Sequence, residues 1–165
     1  MVTTRSAAAV TRRLARFRQS LKTPVGNLTP VADGTRIVAL DWFGDATDDL
    51  PVLNEAVHQL QAYFEGALTT FDLPLKLGNT DFQTRFLTAL TEIPFGETRT
   101  YGDLAEALGV SPQAIGQACG ANPIPVIVPC HRVLAANGLG GFSGAGGVEA
   151  KVALLKHEGA ASLLI

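Results

Sequence analysis

Between Ser20 and Phe43 the apolar residues come in short runs broken by turn residues. Asp33-Gly34 is a turn dipeptide. The run Arg36 to Phe43 (RIVALDWF) is rich in β-branched and aromatic residues with partial alternation, so this stretch predicts strands. Residues 44–51, GDATDDLP, read as a polar loop. Leu53, Val57, Leu60 and Phe64 then recur at four and three, the stripe of an amphipathic helix, and Gly66 is its stop. Residues 72–79, DLPLKLGN, predict a connection, and after it the pattern turns helical. Thr80 with Gln83 makes a capping box ahead of Phe82, Phe86, Ala89, Leu90 and Ile93 on one face. Pro94-Phe95-Gly96 ends that helix. Thr100 with Asp103 caps a short helix closed by Gly109, and Ser111-Pro112 opens another with an N-cap and an N1 proline. Two short helices around a glycine turn outline a helix-turn-helix, which by itself is a weak signal.

The expected architecture is α+β. A small N-terminal α/β domain, about 19–76, carries a short antiparallel sheet and one helix. A mostly helical domain with the helix-turn-helix follows over about 77–165. A basic arm, 1–18, precedes both. At 165 residues and 47% hydrophobic content the chain can bury a core, and it contains no apolar run long enough to cross a membrane. Its net charge of −2 hides an asymmetry. Residues 1–22 hold Arg5, Arg12, Arg13, Arg16, Arg18 and Lys22 and no acid, whereas 23–76 set two bases against eight acids. The globular part therefore offers a partner no broad positive field. The arm reads as a mobile basic tail, with a nucleic-acid contact or a transit peptide as the competing readings. With only Cys119 and Cys130 there is no disulfide framework and no structural zinc spacing, which favours a reducing interior.

The run Gln113 to Asn122 (QAIGQACGAN) is mostly alanine and glycine. It makes either a close-packed helix or a thin face that approaches a nucleic-acid groove. The next stretch, Asn122 to Val133 (NPIPVIVPCHRV), carries the chemistry. Pro123, Pro125 and Pro129 fix φ and remove donors, so the chain is expected to run extended through the core and present Cys130 in a stiff, poorly hydrated seat. Most lone cysteines are inert packing. Here His131 and Arg132 adjoin the sulfur, and both are expected to favour its thiolate. A cysteine nucleophile with a histidine base is the resulting expectation, and an acid to orient that histidine is required but not identified.

PCHRV after NPIPVIV resembles the active-site signature of the 6-O-methylguanine-DNA methyltransferases. The resemblance extends upstream through DFQTRFLTALTEIPFGETRTYGDLAEALG and downstream through GGFSGAGG and KVALLKHEG, over nearly all of 78–159. It is weaker in the first half, where TPVG and the strand-then-helix order match. The resemblance implies a ribonuclease-H-like first domain and a winged-helix-like second one. It implies repair of double-stranded DNA in which an alkylated guanine is flipped out and its alkyl group moves irreversibly to Cys130. By matching position, His131 is the water-mediated base, Glu158 the acid that orients it, and Asn122 the residue holding the turn. Tyr101 is the phenol that donates to the guanine ring, and Arg132 ties the motif down. The carbonyls of Cys130 and Val133 meet the exocyclic amine, and the Ser143 backbone meets the guanine oxygen. Gln113, Ala114, Pro125, Phe142 and Gly144 complete the implied DNA and guanine contacts. No cofactor, metal, membrane or obligate protein partner is implied, and a cytoplasmic (bacterial) monomer is expected.

Four positions depart from the family's usual pattern. Gln113 stands where an arginine usually fills the gap left by the flipped base, and Gly120 where relatives can carry a base. Phe142 replaces a common tyrosine, and Leu87 a common tryptophan. The first two predict weaker, less salt-dependent DNA binding. Cys119 is expected to be a small core residue. Three other readings stay open. The first is a lesion sensor that transfers nothing, although the known sensors lack the cysteine. The second is a Cys-His hydrolase. The third is a plain helix-turn-helix regulator.

Overall fold

A computed structural model of the chain describes residues 15–142 and 147–160. Most of the predicted basic arm, residues 1–14, lies outside them. The sheet begins inside the arm's expected range. Strands β1 (Phe17–Arg18) and β2 (Leu21–Thr23) pair antiparallel with β3 (Gly26–Ala32) in one register, Phe17 opposite Ala32 and Leu21 opposite Leu28. Pro30 explains the break between them. Gln19 donates its N–H to the Pro30 carbonyl at 3.4 Å, but a proline has no N–H to return. Ser20 instead donates to Ala46 O at 2.9 Å. The hairpin turn is closed by Thr23, whose hydroxyl donates to Gly26 O at 2.6 Å, with Gly26 at φ +100°. Strand β4 (Ile37–Asp41) lies on the other side of β3. The turn before it is the predicted one: Asp33 Oδ1 accepts from the N–H groups of Thr35 and Arg36.

The outer edge of β4 holds two later segments of the chain in place. Ile37 donates to Pro74 O at 2.8 Å and Lys76 donates to Ile37 O at 2.9 Å, so the 72–79 connection lies along that edge. Further on, Leu40 donates to Pro123 O at 2.8 Å. Helix α1 (Pro51–Phe64) packs on the sheet. Its fully buried face is Leu53, Ala56, Gln59, Leu60 and Tyr63. That is a small rotation from the predicted stripe, because Val57 and Phe64 are only partly covered.

Local capping sets the helices of the second half. Helix α2 (Asp81–Thr91) is capped by Thr80 Oγ1, which accepts from Gln83 N. The Gln83 side chain accepts from Asn79 N rather than from Thr80, so the predicted box closes one residue early. Helix α3 (Tyr101–Leu108) has the full Thr100/Asp103 box and ends at Gly109 with φ +70°. Helix α4 (Pro112–Gly120) starts at Ser111 and Pro112 as predicted. A 3-10 turn (Cys130–Arg132) leads into β6 (Val133–Leu134), which pairs parallel with β5 (Arg99–Thr100). Helix α5 (Val148–His157) closes the described chain. Buried residues of both halves, from Leu21 to Leu154, form one contiguous apolar cluster, so the sheet and the helices share a core. Leu87 is part of it. No helix among the described residues is long and apolar enough to cross a membrane.

Candidate active site

Residues 122–129 do not run extended. Val128 donates to Ile124 O, Ile127 to Pro125 O and Cys130 to Val128 O, so the segment is a chain of tight turns. Three prolines fix φ but leave ψ free, which is why the sequence misread the path. Val126 has φ +70°, a strained value for a β-branched residue. Asn122 stitches the turns together: its Nδ2 donates to Val128 O at 2.9 Å and its Oδ1 accepts from Ile124 N at 3.0 Å. The outcome is a buried Cys130 at the start of the 3-10 turn.

Glu158, in the turn after α5, gathers the polar groups. Its Oε2 is 2.8 Å from His131 Nε2, 3.0 Å from Arg132 Nη2 and 2.5 Å from the Tyr63 hydroxyl. Arg132 Nε donates to Oε1 at 2.8 Å, and its Nη1 donates to Ile93 O at 2.6 Å. Burial alone would raise the Glu158 pKa, but the hydrogen bonds from His131 and Arg132 prevail and bring it to about 2. Glu158 is thus an anion at neutral pH and accepts from His131 Nε2–H. Burial lowers the His131 pKa, so its ring is neutral at pH 7 and Nδ1 is left as an acceptor. Nδ1 is buried and has no protein partner, the one such side-chain atom among the described residues.

This geometry corrects the source of support for the thiolate. The Arg132 charge is spent on Glu158, and His131 is neutral. Burial raises the Cys130 pKa, while the Asn122 side-chain hydrogen bond and the Lys151 charge pull against it. Lys151 is fully buried and donates to three carbonyls: Val133 at 2.7 Å, Leu139 at 2.5 Å and Gly141 at 3.1 Å. The sequence reading missed it. The available signal was its spacing of seven from Glu158, which puts both on one helix face. Tyr63 was missed for a different reason: it comes from α1, 95 residues away in the chain.

A cavity of about 350 Å³ opens beside the sulfur. It is lined by Tyr101, Gly116, Cys119, Gly120, Cys130, Gly141 and Phe142. Tyr101 and Phe142 thus share a cavity with Cys130. Gly140 packs its backbone on the Tyr101 ring, since a Cβ there would come within 2.7 Å of the hydroxyl. Cys119 is half-buried and packs against the core from its edge. It lines the cavity, and burial together with the nearby Cys130 pushes its thiol up to about 12, so it stays protonated. Gln113 is exposed and Ala114 half-buried on α4; Pro125 is buried in the turns, and Val133 presents its carbonyl to Lys151. None of these four lines the cavity. Ser143 and Gly144 lie outside the described residues. The exposed residues of α4 are Pro112 at its start and Gln113, Gly116, Gln117 and Gly120, the last four forming one uncharged face at helical spacing. A Cβ on Gly116 or Gly120 would meet nothing within 4 Å, so close helix packing is not why these residues are small.

Comparison with known proteins bears on both halves. A family model described as 6-O-methylguanine DNA methyltransferase, DNA binding domain, matches residues 81–160, and one described as the ribonuclease-like domain of the same family matches 17–77. The chain belongs to the 6-O-methylguanine DNA methyltransferase family. A methylated-DNA–protein-cysteine methyltransferase of Mycobacterium tuberculosis is 42% identical over 151 residues, 85% of this chain and 90% of that one. The protein of the same name from Metallosphaera sedula is 43% identical over 140 residues, 82% and 88% of the two chains. The crystal structure of the M. tuberculosis O6-methylguanine methyltransferase superposes with a TM-score of 0.78 at 40% identity, covering 88% of this chain and 93% of that one. The M. tuberculosis protein in complex with DNA gives 0.76 at 42% identity, covering 86% and 92%. The sheet-plus-helix half and the helical half are therefore this family's two domains.

Proposed function

We propose that this protein repairs double-stranded DNA by moving a methyl or larger alkyl group from O6 of a flipped guanine to Cys130, once per molecule. The observation that carries the reading is a single buried relay, Glu158 to His131, next to a cysteine that lines a cavity of about 350 Å³. His131 Nδ1 takes the thiol proton through a bridging water. The sulfur attacks the alkyl carbon, the carbon–oxygen bond breaks, and its electron pair moves into the guanine ring. Tyr101 donates its phenolic proton to that ring, so the base leaves neutral, and the proton drawn from the thiol restores the phenol. The thioether is stable, and nothing in the relay regenerates the thiol.

The remaining roles follow the family's pattern. Asn122 holds the turn and hydrogen-bonds the sulfur, and Arg132 keeps Glu158 in place. The Cys130 and Val133 carbonyls, Ser143 and Gly144 contact the base, with Phe142 as a pocket wall and Pro125 behind it in the turns that carry Cys130. Gln113 and Ala114 enter the minor groove at the head of α4, whose small residues admit the duplex. Domain boundaries near 76 and a basic tail before the sheet belong to the same reading, as does a monomer working in the cytoplasm.

The deciding experiment is mass spectrometry after incubation with an O6-methylguanine duplex in excess. One methyl per chain, on the Cys130 peptide, is expected, and Cys130→Ser gains none while still binding the duplex. A bare Cys130 after binding would make the protein a sensor, and multiple turnovers would make it a hydrolase.

A further inference from the structure

Strand β4 and the residue after it reach two segments of the Cys130 site, the turns that lead to the sulfur and the lip of the cavity. On one side Leu40 donates to Pro123 O at 2.8 Å, beside Asn122. On the other, Trp42 directly follows β4 and meets Phe142 edge-to-face, with ring centroids 5.7 Å apart and planes at 86°. Phe142 needs such a support. It follows Gly140 and Gly141, which have no side chains to anchor the lip of the cavity. Lys151 holds the Leu139 and Gly141 carbonyls but nothing beyond them among its bonds. Trp42 itself is half-buried against the core at the end of a strand that β3 holds in register.

We propose that Trp42 is a positioning residue for alkyl transfer: the N-terminal sheet uses it to brace Phe142, which seats the guanine ring against Cys130. The proposal rests on the reading of Cys130 as the alkyl acceptor. A planar base in a cavity is oriented by its flat walls. A wall ring free to swing loosens the approach of sulfur to the alkyl carbon, and misplacement on the ångström scale costs up to roughly a hundredfold in rate. Phe142 has no hydroxyl to hydrogen-bond, so its ring is held by aromatic contact.

Trp42 is the only tryptophan, so its fluorescence reports this contact without any chemistry. In Phe142→Ala the emission should shift red and acrylamide quenching should rise; unchanged quenching overturns the brace whatever the transfer assay gives. Transfer is then timed with O6-benzylguanine and with methylated duplex. Trp42→Ala should slow Cys130 alkylation roughly tenfold, and Trp42→Phe should restore most of it. Because both residues act through one wall, Trp42→Ala/Phe142→Ala should be no slower than Phe142→Ala alone. Iodoacetamide, which needs no guanine seat, should label Cys130 at the same rate in wild type and Trp42→Ala. Equal benzyl transfer in Trp42→Ala, additive losses in the double variant, or an equal loss with iodoacetamide would each overturn the proposal. If the wild type itself transfers nothing, the acceptor reading fails, and the proposal with it.

Discussion

Lys151 carries more of the site than its distance from the signature motif suggests. Its ammonium donates to Val133, Leu139 and Gly141, tying the active-site strand to the lip of the cavity. Burial lowers its own pKa, and the neighbouring thiols Cys119 and Cys130 pull it back up. The reciprocal effect lowers the pKa of Cys130. Lys151→Met keeps the length and removes the charge. It should cost on the order of 2–4 kcal/mol in urea unfolding, because one buried and two part-buried carbonyls lose their donor. It should also move the pH profile of Cys130 alkylation by iodoacetamide to higher pH, since the cation acting on that sulfur is gone. A stable variant with an unmoved profile would show that Lys151 neither holds the lip nor tunes the thiol.

Among the elements, α4 is the one whose composition answers to something outside the fold. Gly116 and Gly120 each cost a helix about 1 kcal/mol relative to alanine, and neither is required by a neighbour within 4 Å. Gly116→Leu should therefore keep or raise stability, by up to about 1 kcal/mol. It should weaken binding to a methylated duplex by at least roughly tenfold, about 1.4 kcal/mol, read by fluorescence anisotropy. Undiminished binding would place the duplex on another surface. This element also marks how far the sequence can be read. The ends of α3 and α4 were legible because Thr100, Asp103, Gly109, Ser111 and Pro112 act within one turn of themselves. The path of 122–129 was not, because Asn122 folds it through contacts that the prolines do not encode. For α1, periodicity placed the helix but could not rank its faces, since Val57 and Phe64 are apolar yet only partly covered. The Cys130–His131–Glu158 set was legible only through the resemblance. Spacing alone left the acid unnamed, Lys151 offered only its distance of seven from that acid, and Tyr63 and Trp42 reach the site from elements that no local pattern ties to it.

At the scale of the molecule, the buried relay joins the two halves. Tyr63 of α1 donates to Glu158, and His157 Nε2 lies 2.6 Å from Tyr63 O, while His131 and Arg132 reach Glu158 from the signature segment. The shared core and this network together predict one cooperative unfolding transition. They also fix its acid dependence. His131 has a folded pKa below the ordinary value because burial disfavours its charge. As pH falls below about 6.5 the unfolded chain binds a proton there that the folded chain refuses, so stability declines. Glu158 takes over lower down. Its pKa falls from 4.5 unfolded to about 2 folded, so the unfolded chain protonates first, and stability continues to drop until the folded carboxylate is protonated as well. That carboxylate accounts for roughly 3 kcal/mol above pH 5, lost in full only below about pH 2. The urea midpoint should be steady from pH 7 to 8, fall from about 6.5 downward and fall further below 4.5. Glu158→Gln should start lower at pH 7, because Arg132 then lies buried without its anion, and should lose its slope below 4.5. A wild-type midpoint unchanged between pH 7 and 3 would mean that the carboxylate is not held ionised by its partners, and His131 would then have no anion to orient it.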